Sequence, residues 1–171
     1  MIVFITGSES TGKTKLAQGL ADHFGVSWVP EYARRYIENL NGQYHIQDVE
    51  EIARHQIQEI ISHMNDNLVF FDTGLIITKV WFEEKYQKVP EWFDTLYRDF
   101  SVGHYLLCCP DLPWRSDPVR ENPEIREKLN RIYELQIEDI DCPFERISGG
   151  GSERLKRAIS AVDKWLKIEN N

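Results

Sequence analysis

Five short segments of the chain have the hydrophobic pattern of β-strands. They cover residues 2–5, 26–30, 68–71, 104–109 and 144–147. The segments 68–71 and 104–109 are almost entirely apolar and do not alternate with polar residues, which is typical of strands buried on both faces of a parallel sheet. We therefore predict a five-stranded parallel sheet.

Between these strands, apolar residues recur at the three- and four-residue spacing of amphipathic helices. The clearest case is the segment 46–65, whose predicted inner face carries Val49, Ile52, Ala53, Gln56, Ile60 and Met64. The other predicted helices follow residue 14 and residue 151, or cover residues 31–40 and 124–139. Strand and helix alternate along the whole chain without a repeat or a long linker, so we predict a single α/β domain over 1–171, built as a three-layer sandwich.

Composition and charge narrow the classes of function. The 171-residue chain has a formal charge of −8 and a pI near 5.2, so it has no overall positive field to hold DNA or RNA, and we expect no nucleic-acid partner. The first apolar run is short and no basic leader precedes it, so we expect no membrane segment and a cytoplasmic location. Cys108, Cys109 and Cys142 are odd in number and lack the spacing of metal ligands, so we expect reduced thiols.

A phosphate-binding pattern, G-x-x-x-x-G-K-[ST], follows the first strand directly. Its members are Gly7, Ser8, Glu9, Ser10, Thr11, Gly12, Lys13 and Thr14. Such a loop presents successive backbone N–H groups and a helix N-terminus to phosphate. We predict that ATP binds here, with Lys13 at the β- and γ-phosphates and the Thr14 hydroxyl as a ligand of Mg²⁺. The alternative, a turn that matches by chance, is disfavoured because the expected strand and helix flank the pattern.

Two carboxylates also follow predicted strands. Glu31 comes after the second strand and Asp72 after the third. Ligands of open parallel sheets bind beyond the carboxyl ends of the strands, so both side chains should face the crevice that holds the phosphate loop. Each has a plainer alternative, since Glu31 could only complement a helix dipole and Asp72 could only cap a helix.

The segment 110–123 is rich in proline and arginine and has the character of a lid-like loop. Arg115, Arg120 and Arg126 lie in it or beside it, and a guanidinium group can bind phosphate oxygens in pairs. The alternative is solvated surface charge, because glutamates interleave with these arginines. Farther along the chain, Gly149 begins a glycine turn that either contacts the nucleotide or only joins a strand to a helix.

Several motifs, in their order and spacing, make the chain resemble the ribosylnicotinamide kinase domain of the bacterial NadR family, within the P-loop nucleoside and nucleotide kinases. The matching stretches are 7–14 (GSESTGKT), 28–34 (WVPEYAR), 71–79 with Trp81 (FDTGLIITK, then W), 110–114 (PDLPW), and Asp117 with Arg120. The resemblance implies the strand order 2-3-1-4-5. The H-x-G-H motif of the family's adenylyltransferase domain is not found, so we expect a kinase domain that stands alone.

The resemblance also implies a reaction. An ATP-dependent kinase of this family would phosphorylate the 5′-hydroxyl of nicotinamide riboside to give nicotinamide mononucleotide, in NAD salvage. Related nucleoside kinases favour Glu31 as the base and Asp72 as the residue that orients Mg²⁺, although the two roles could be exchanged. The remaining predicted catalytic residues are Lys13 and Arg120, with Arg115, Arg126 and Gly149 at the nucleotide.

The predicted acceptor site holds Glu31, Asp72 and three aromatic residues. Tyr32, Trp81 and Trp114 are candidates to contact the cationic pyridinium ring of the riboside, because a cation is attracted to an aromatic face. The alternative is that all three are packing residues. Two other functions stay open at this stage, a kinase for a different nucleoside and a regulatory ATPase that transfers phosphate only to water. The sequence does not predict the oligomeric state.

Overall fold

The computed structural model describes residues 1–40, 43–116 and 124–169. Its centre is a five-stranded, wholly parallel sheet with the order β2-β3-β1-β4-β5. The strands are β1 (Ile2–Thr6), β2 (Trp28–Val29), β3 (Val69–Asp72), β4 (His104–Cys108) and β5 (Phe144–Ile147). The predicted fold class and strand order are confirmed.

Helices connect the strands and cover both faces of the sheet. They are α1 (Lys13–Phe24), α2 (Tyr32–Asn39), α3 (Ile46–His63), α4 (Leu75–Trp81), α5 (Glu91–Phe100), α6 (Arg126–Asp139) and α7 (Gly151–Glu169), and a π-helical turn (Phe82–Tyr86) follows α4 directly. None of the helices in the described parts of the chain is long and apolar enough to cross a membrane.

The observed elements differ from the predicted ones in two places. The second strand is shorter than the predicted segment 26–30, because Val26 takes part in the cap that ends α1. Its N–H donates to the carbonyl of Ala21 around a left-handed Gly25. No bounds were predicted for the helices α4 and α5. The apolar residues of α5 do recur at helical spacing, and two of them, Phe93 and Tyr97, are fully buried as helix-packing residues.

The sheet separates two apolar layers, and β1 supplies both. Val3 and Ile5 pack with α1 and α7 on one face, whereas Phe4 packs with α3 to α6 on the other. This division follows from the two-residue period of a strand. The ring of Phe4 lies 5.1 Å from that of Tyr105 and 5.4 Å from that of Phe71, so it joins all three central strands on that face.

We predict that Phe4→Ala lowers the free energy of unfolding by about 3–5 kcal/mol, because it empties a large, fully buried site between three strands. Urea unfolding measures this loss. Val102→Ala is the control, because Val102 is 56% exposed and its truncation should change stability by less than about 0.5 kcal/mol. A loss below about 1 kcal/mol for Phe4→Ala would contradict the assigned core.

Candidate active site

The loop between β1 and α1 passes very close to the end of β4. A Cβ atom on Gly7 would lie 2.6 Å from the carbonyl oxygen of Cys108, and Gly7 has a φ of 138°. Gly12, at the N-cap of α1, has a φ of 80°. Only glycine adopts both conformations without strain, so the two glycines of the predicted pattern stand where the backbone requires them.

Positive side chains bond to five consecutive carbonyl oxygens of this loop. Lys13 Nζ donates to the carbonyls of Gly7 and Ser8, both at 3.0 Å. The guanidinium of Arg126 donates to the carbonyls of Glu9 at 3.0 Å and Ser10 at 3.3 Å, and that of Arg154 donates to the carbonyl of Thr11 at 3.0 Å. The loop therefore keeps a defined shape through these cations.

The start of α1 meets the end of β3 through one short hydrogen bond. Thr14 Oγ1 donates to Asp72 Oδ2 at 2.6 Å, and Asp72 is only 3% exposed. The other carboxylate oxygen, Oδ1, is buried and has no hydrogen-bond partner among the described residues. Burial raises the pKa of Asp72, although Lys13, the bond from Thr14 and Arg34 act in the opposite direction.

This pair of side chains fits a magnesium ion. A hydroxyl and a carboxylate are the oxygen ligands that Mg²⁺ takes from a protein, and the ion completes its coordination with water and substrate phosphates. A buried carboxylate oxygen without a donor is costly unless a cation neutralises it. Thr14 and Asp72 would hold the ion beside the phosphate loop, and this role of the two residues stays a prediction.

Glu31 lies at the N-cap of α2, and its carboxylate accepts no capping hydrogen bond from a backbone N–H. One of its carboxylate oxygens is 3.9 Å from Arg34 Nε, and the side chain is 29% exposed. The neighbouring residues Pro30 and Tyr32 line a narrow cleft together with Asp72. The structure thus brings both predicted carboxylates to the same edge of the sheet.

The three predicted aromatic contacts lie in different places. Tyr32 lines the cleft, and its ring stacks parallel to that of His55 with a centroid separation of 3.5 Å. Trp81, at the end of α4, donates its indole N–H to the hydroxyl of Tyr44. Trp114 lies on the other side of the phosphate loop, where its ring centroid is 5.9 Å from the guanidinium carbon of Arg126. Only Tyr32 is thus placed beside Asp72.

Arg115 contacts the phosphate loop through main-chain groups that bond to the hydroxyl of Ser10. The backbone N–H of Arg115 donates to Ser10 Oγ at 2.9 Å, and the same hydroxyl donates to the carbonyl of Arg115. The guanidinium of Arg126 bonds to loop carbonyls, including that of Leu112 at 3.0 Å. Its predicted contact with nucleotide phosphate would require it to leave them. Arg120 lies outside the described residues.

Sequence reasoning missed the roles of Asp111 and Arg154. Asp111 Oδ2 accepts from the backbone N–H of Gly149 at 2.6 Å, and its Oδ1 is paired with Arg154 Nη2. Arg154 could have been noticed from periodicity, because it lies four residues before Ala158 and seven before Ala161 on the buried face of α7. A charged residue on an apolar helix face is rarely there without a partner.

Comparison with known proteins agrees with this geometry. A family model described as an AAA domain (AAA_28) matches residues 2–154. The chain belongs to this family. The trifunctional NAD biosynthesis/regulator protein NadR of Escherichia coli (strain K12) is 25% identical over 177 residues, which cover 96% of this chain and 42% of NadR. The predicted resemblance is confirmed, and the chain spans less than half the length of this relative.

Solved structures share the fold. A NadR protein in complex with NR matches with a TM-score of 0.73 and 23% identity, over 97% of this chain and 49% of the other. The same comparison with NadR protein in complex with NAD and AMP-PNP gives a TM-score of 0.71. A deoxyadenosine kinase from M. mycoides matches over its whole length and 96% of this chain, with a TM-score of 0.67 and 15% identity.

The raised pKa of Asp72 predicts a pH-dependent stability. Between the ordinary value of 3.8 and the raised value, the folded chain keeps a proton that the unfolded chain releases, so this site loses stability as pH rises. We predict that Asp72→Asn, which cannot ionise, gains stability over the wild type by about 1.4 kcal/mol for each unit of pKa elevation. The gain should be small near about pH 4 and should grow as the pH rises toward about pH 8.

Thermal unfolding in the presence of a chelator measures the difference between the two proteins across that range. The comparison isolates Asp72, because all other titrating groups are shared. Asp22→Asn is a matched control, since Asp22 is an exposed carboxylate on α1. A stability difference between Asp72→Asn and the wild type that stays constant with pH would show that the buried carboxylate is not destabilising when ionised.

Proposed function

We propose that this chain is an ATP-dependent kinase that transfers the γ-phosphoryl group to the 5′-hydroxyl of nicotinamide riboside and forms nicotinamide mononucleotide. The observation that carries the proposal is the Thr14–Asp72 pair, which joins the phosphate loop to the cleft beside Tyr32. The likeness to NadR, one structure of which is in complex with NR, supports the riboside as acceptor. A role in NAD salvage in the cytoplasm belongs to the same proposal.

The donor side of the reaction rests on the phosphate loop. Lys13 lies with its ammonium group over the loop, where it would turn from the carbonyls of Gly7 and Ser8 to the β- and γ-phosphates of ATP. Thr14 and Asp72 would hold Mg²⁺, which neutralises charge that develops on the phosphate oxygens when bound. In the transfer, the riboside oxygen bonds to the γ-phosphorus, the bond to the β,γ-bridging oxygen breaks, and ADP leaves.

The acceptor side needs a base and a surface for the pyridinium ring. Glu31 is partly exposed and lies at the same edge of the sheet as Asp72, where its carboxylate would accept the proton of the 5′-hydroxyl. Asp72 is committed to Thr14 and is buried, which suits the metal better than the base. Tyr32 would contact the ring with the face turned away from His55. Trp81 and Trp114 stay predictions as further contacts.

We predict that Glu31→Gln lowers kcat by about 10²–10⁴ and leaves the KM for ATP nearly unchanged, because it removes a proton acceptor and keeps the shape. Steady-state ADP release with nicotinamide riboside measures both constants. Glu38→Gln is the matched control, since Glu38 pairs with the same Arg34 on the exposed side of α2. Normal turnover by Glu31→Gln would show that Glu31 is not the base and that another group accepts the proton.

The identity of the acceptor is tested by comparing kcat/KM for nicotinamide riboside, uridine and adenosine. We predict that the wild type prefers the cationic riboside, and that Tyr32→Leu loses about tenfold or more toward it alone, since about 1.4 kcal/mol of cation–π attraction is tenfold. Lys13→Ala is the control and should lose turnover of all three. A wild type that prefers uridine or adenosine would overturn the nicotinamide assignment.

A further inference from the structure

Arg154, in the first turn of α7, connects three loops around the phosphate site. Its side chain is 5% exposed. Nε donates to the carbonyl of Gly149 at 2.7 Å, Nη1 to that of Thr11 at 3.0 Å, and Nη2 to that of Cys109 at 3.2 Å. These carbonyls belong to the turn after β5, the phosphate loop and the end of β4.

A buried guanidinium group needs a negative partner, and Asp111 provides it. Its carboxylate pairs with Arg154 through Oδ1, while Oδ2 accepts from the backbone N–H of Gly149. The positive charge, the carboxylate and the glycine turn therefore form a closed network. The guanidinium of Arg154 and its bond to Thr11 are buried, so this end of the network is held in one arrangement, because a bond that breaks there leaves a buried polar group without a partner.

The bond from Arg154 to Thr11 bears on the groups that would face phosphate. The carbonyl of one residue and the N–H of the next point in opposite directions across a planar trans peptide. With the carbonyl of Thr11 directed to Arg154, the N–H of Gly12 is directed away from it. Arg126 has the same effect on the N–H groups of Ser10 and Thr11 through the carbonyls of Glu9 and Ser10.

We propose that Arg154, through its bonds to Thr11, Gly149 and Asp111, is a positioning residue that orients the phosphate loop for nucleotide binding. The proposal rests on the nucleotide site of the proposed function and is independent of the acceptor. It assigns Arg154 no contact with ATP. Its consequence is a specific one: the loss of Arg154 weakens binding of ATP and ADP and leaves the acceptor site unchanged.

The test compares Arg154→Gln with Arg157→Gln. Arg157 lies three residues farther along α7 and is half exposed. Among the described residues, it donates to the Ser148 hydroxyl and to the Glu153 carboxylate. The probe is MgADP titrated by calorimetry without any nucleoside, so the result does not depend on which acceptor the protein uses. We expect Arg154→Gln to raise the dissociation constant for MgADP by tenfold or more, and Arg157→Gln to leave it unchanged.

Arg154→Lys separates orientation from stability. It keeps the positive charge beside Asp111 and loses the planar fork that reaches Thr11 and Gly149 together. We expect this variant to melt close to the wild-type temperature and still to bind MgADP at least about fivefold more weakly. If Arg154→Gln does not fold, this variant carries the test by itself. Wild-type affinity for MgADP in a folded Arg154→Lys or Arg154→Gln would overturn the proposal.

Discussion

The carbonyl oxygens of the phosphate loop are the groups on which the site depends. Five of them in succession, from Gly7 to Thr11, accept hydrogen bonds from Lys13, Arg126 and Arg154. Main-chain polar groups must be bonded wherever they are shielded from water. Within the loop itself, the Thr11 hydroxyl donates to the carbonyl of Ser8 at 2.8 Å. Here cations drawn from α1, α6 and α7 provide the bonds, so the loop holds its shape only when these helices are in place.

The sheet order decides which side chains meet at this loop. Because β1 lies between β3 and β4, the loop after β1 has the end of β3 on one side and the end of β4 on the other. The β3 side brings Asp72 to Thr14 and places the cleft of Tyr32 beside them. On the β4 side, the carboxylate of Asp111 accepts a hydrogen bond from the backbone N–H of Gly149, in the turn after β5. The proposed acceptor and nucleotide regions therefore lie on opposite sides of one strand.

The parts of this site that depend on local sequence could be predicted, and those that depend on packing could not. The spacing of Gly7, Gly12 and Lys13 is local, and Asp72 directly follows an apolar strand, so both were visible in the pattern. The stacking of Tyr32 on His55 joins α2 to α3. The bonds of Arg126 to the loop span more than a hundred residues. Neither leaves a signal in hydrophobic periodicity.

The helices differ in how clearly the sequence shows an apolar stripe. α3 has a regular apolar stripe and was predicted within two residues of its ends, from 46–65 to Ile46–His63. No bounds were predicted for α5, although its apolar residues, Trp92, Phe93, Leu96, Tyr97 and Phe100, recur at helical spacing, so this helix could have been predicted in the same way. No bounds were predicted for α4 either, which is apolar on most of its sides and therefore shows no clear stripe.

The central claim is that this site directs a phosphoryl group to a riboside and not to water. Phosphorus NMR of the wild-type reaction with MgATP, recorded with and without nicotinamide riboside, tests it most directly. The account predicts that ADP forms only with the riboside present, and that the transferred phosphorus appears in nicotinamide mononucleotide in equal amount. Inorganic phosphate released at the same rate without the riboside would contradict it.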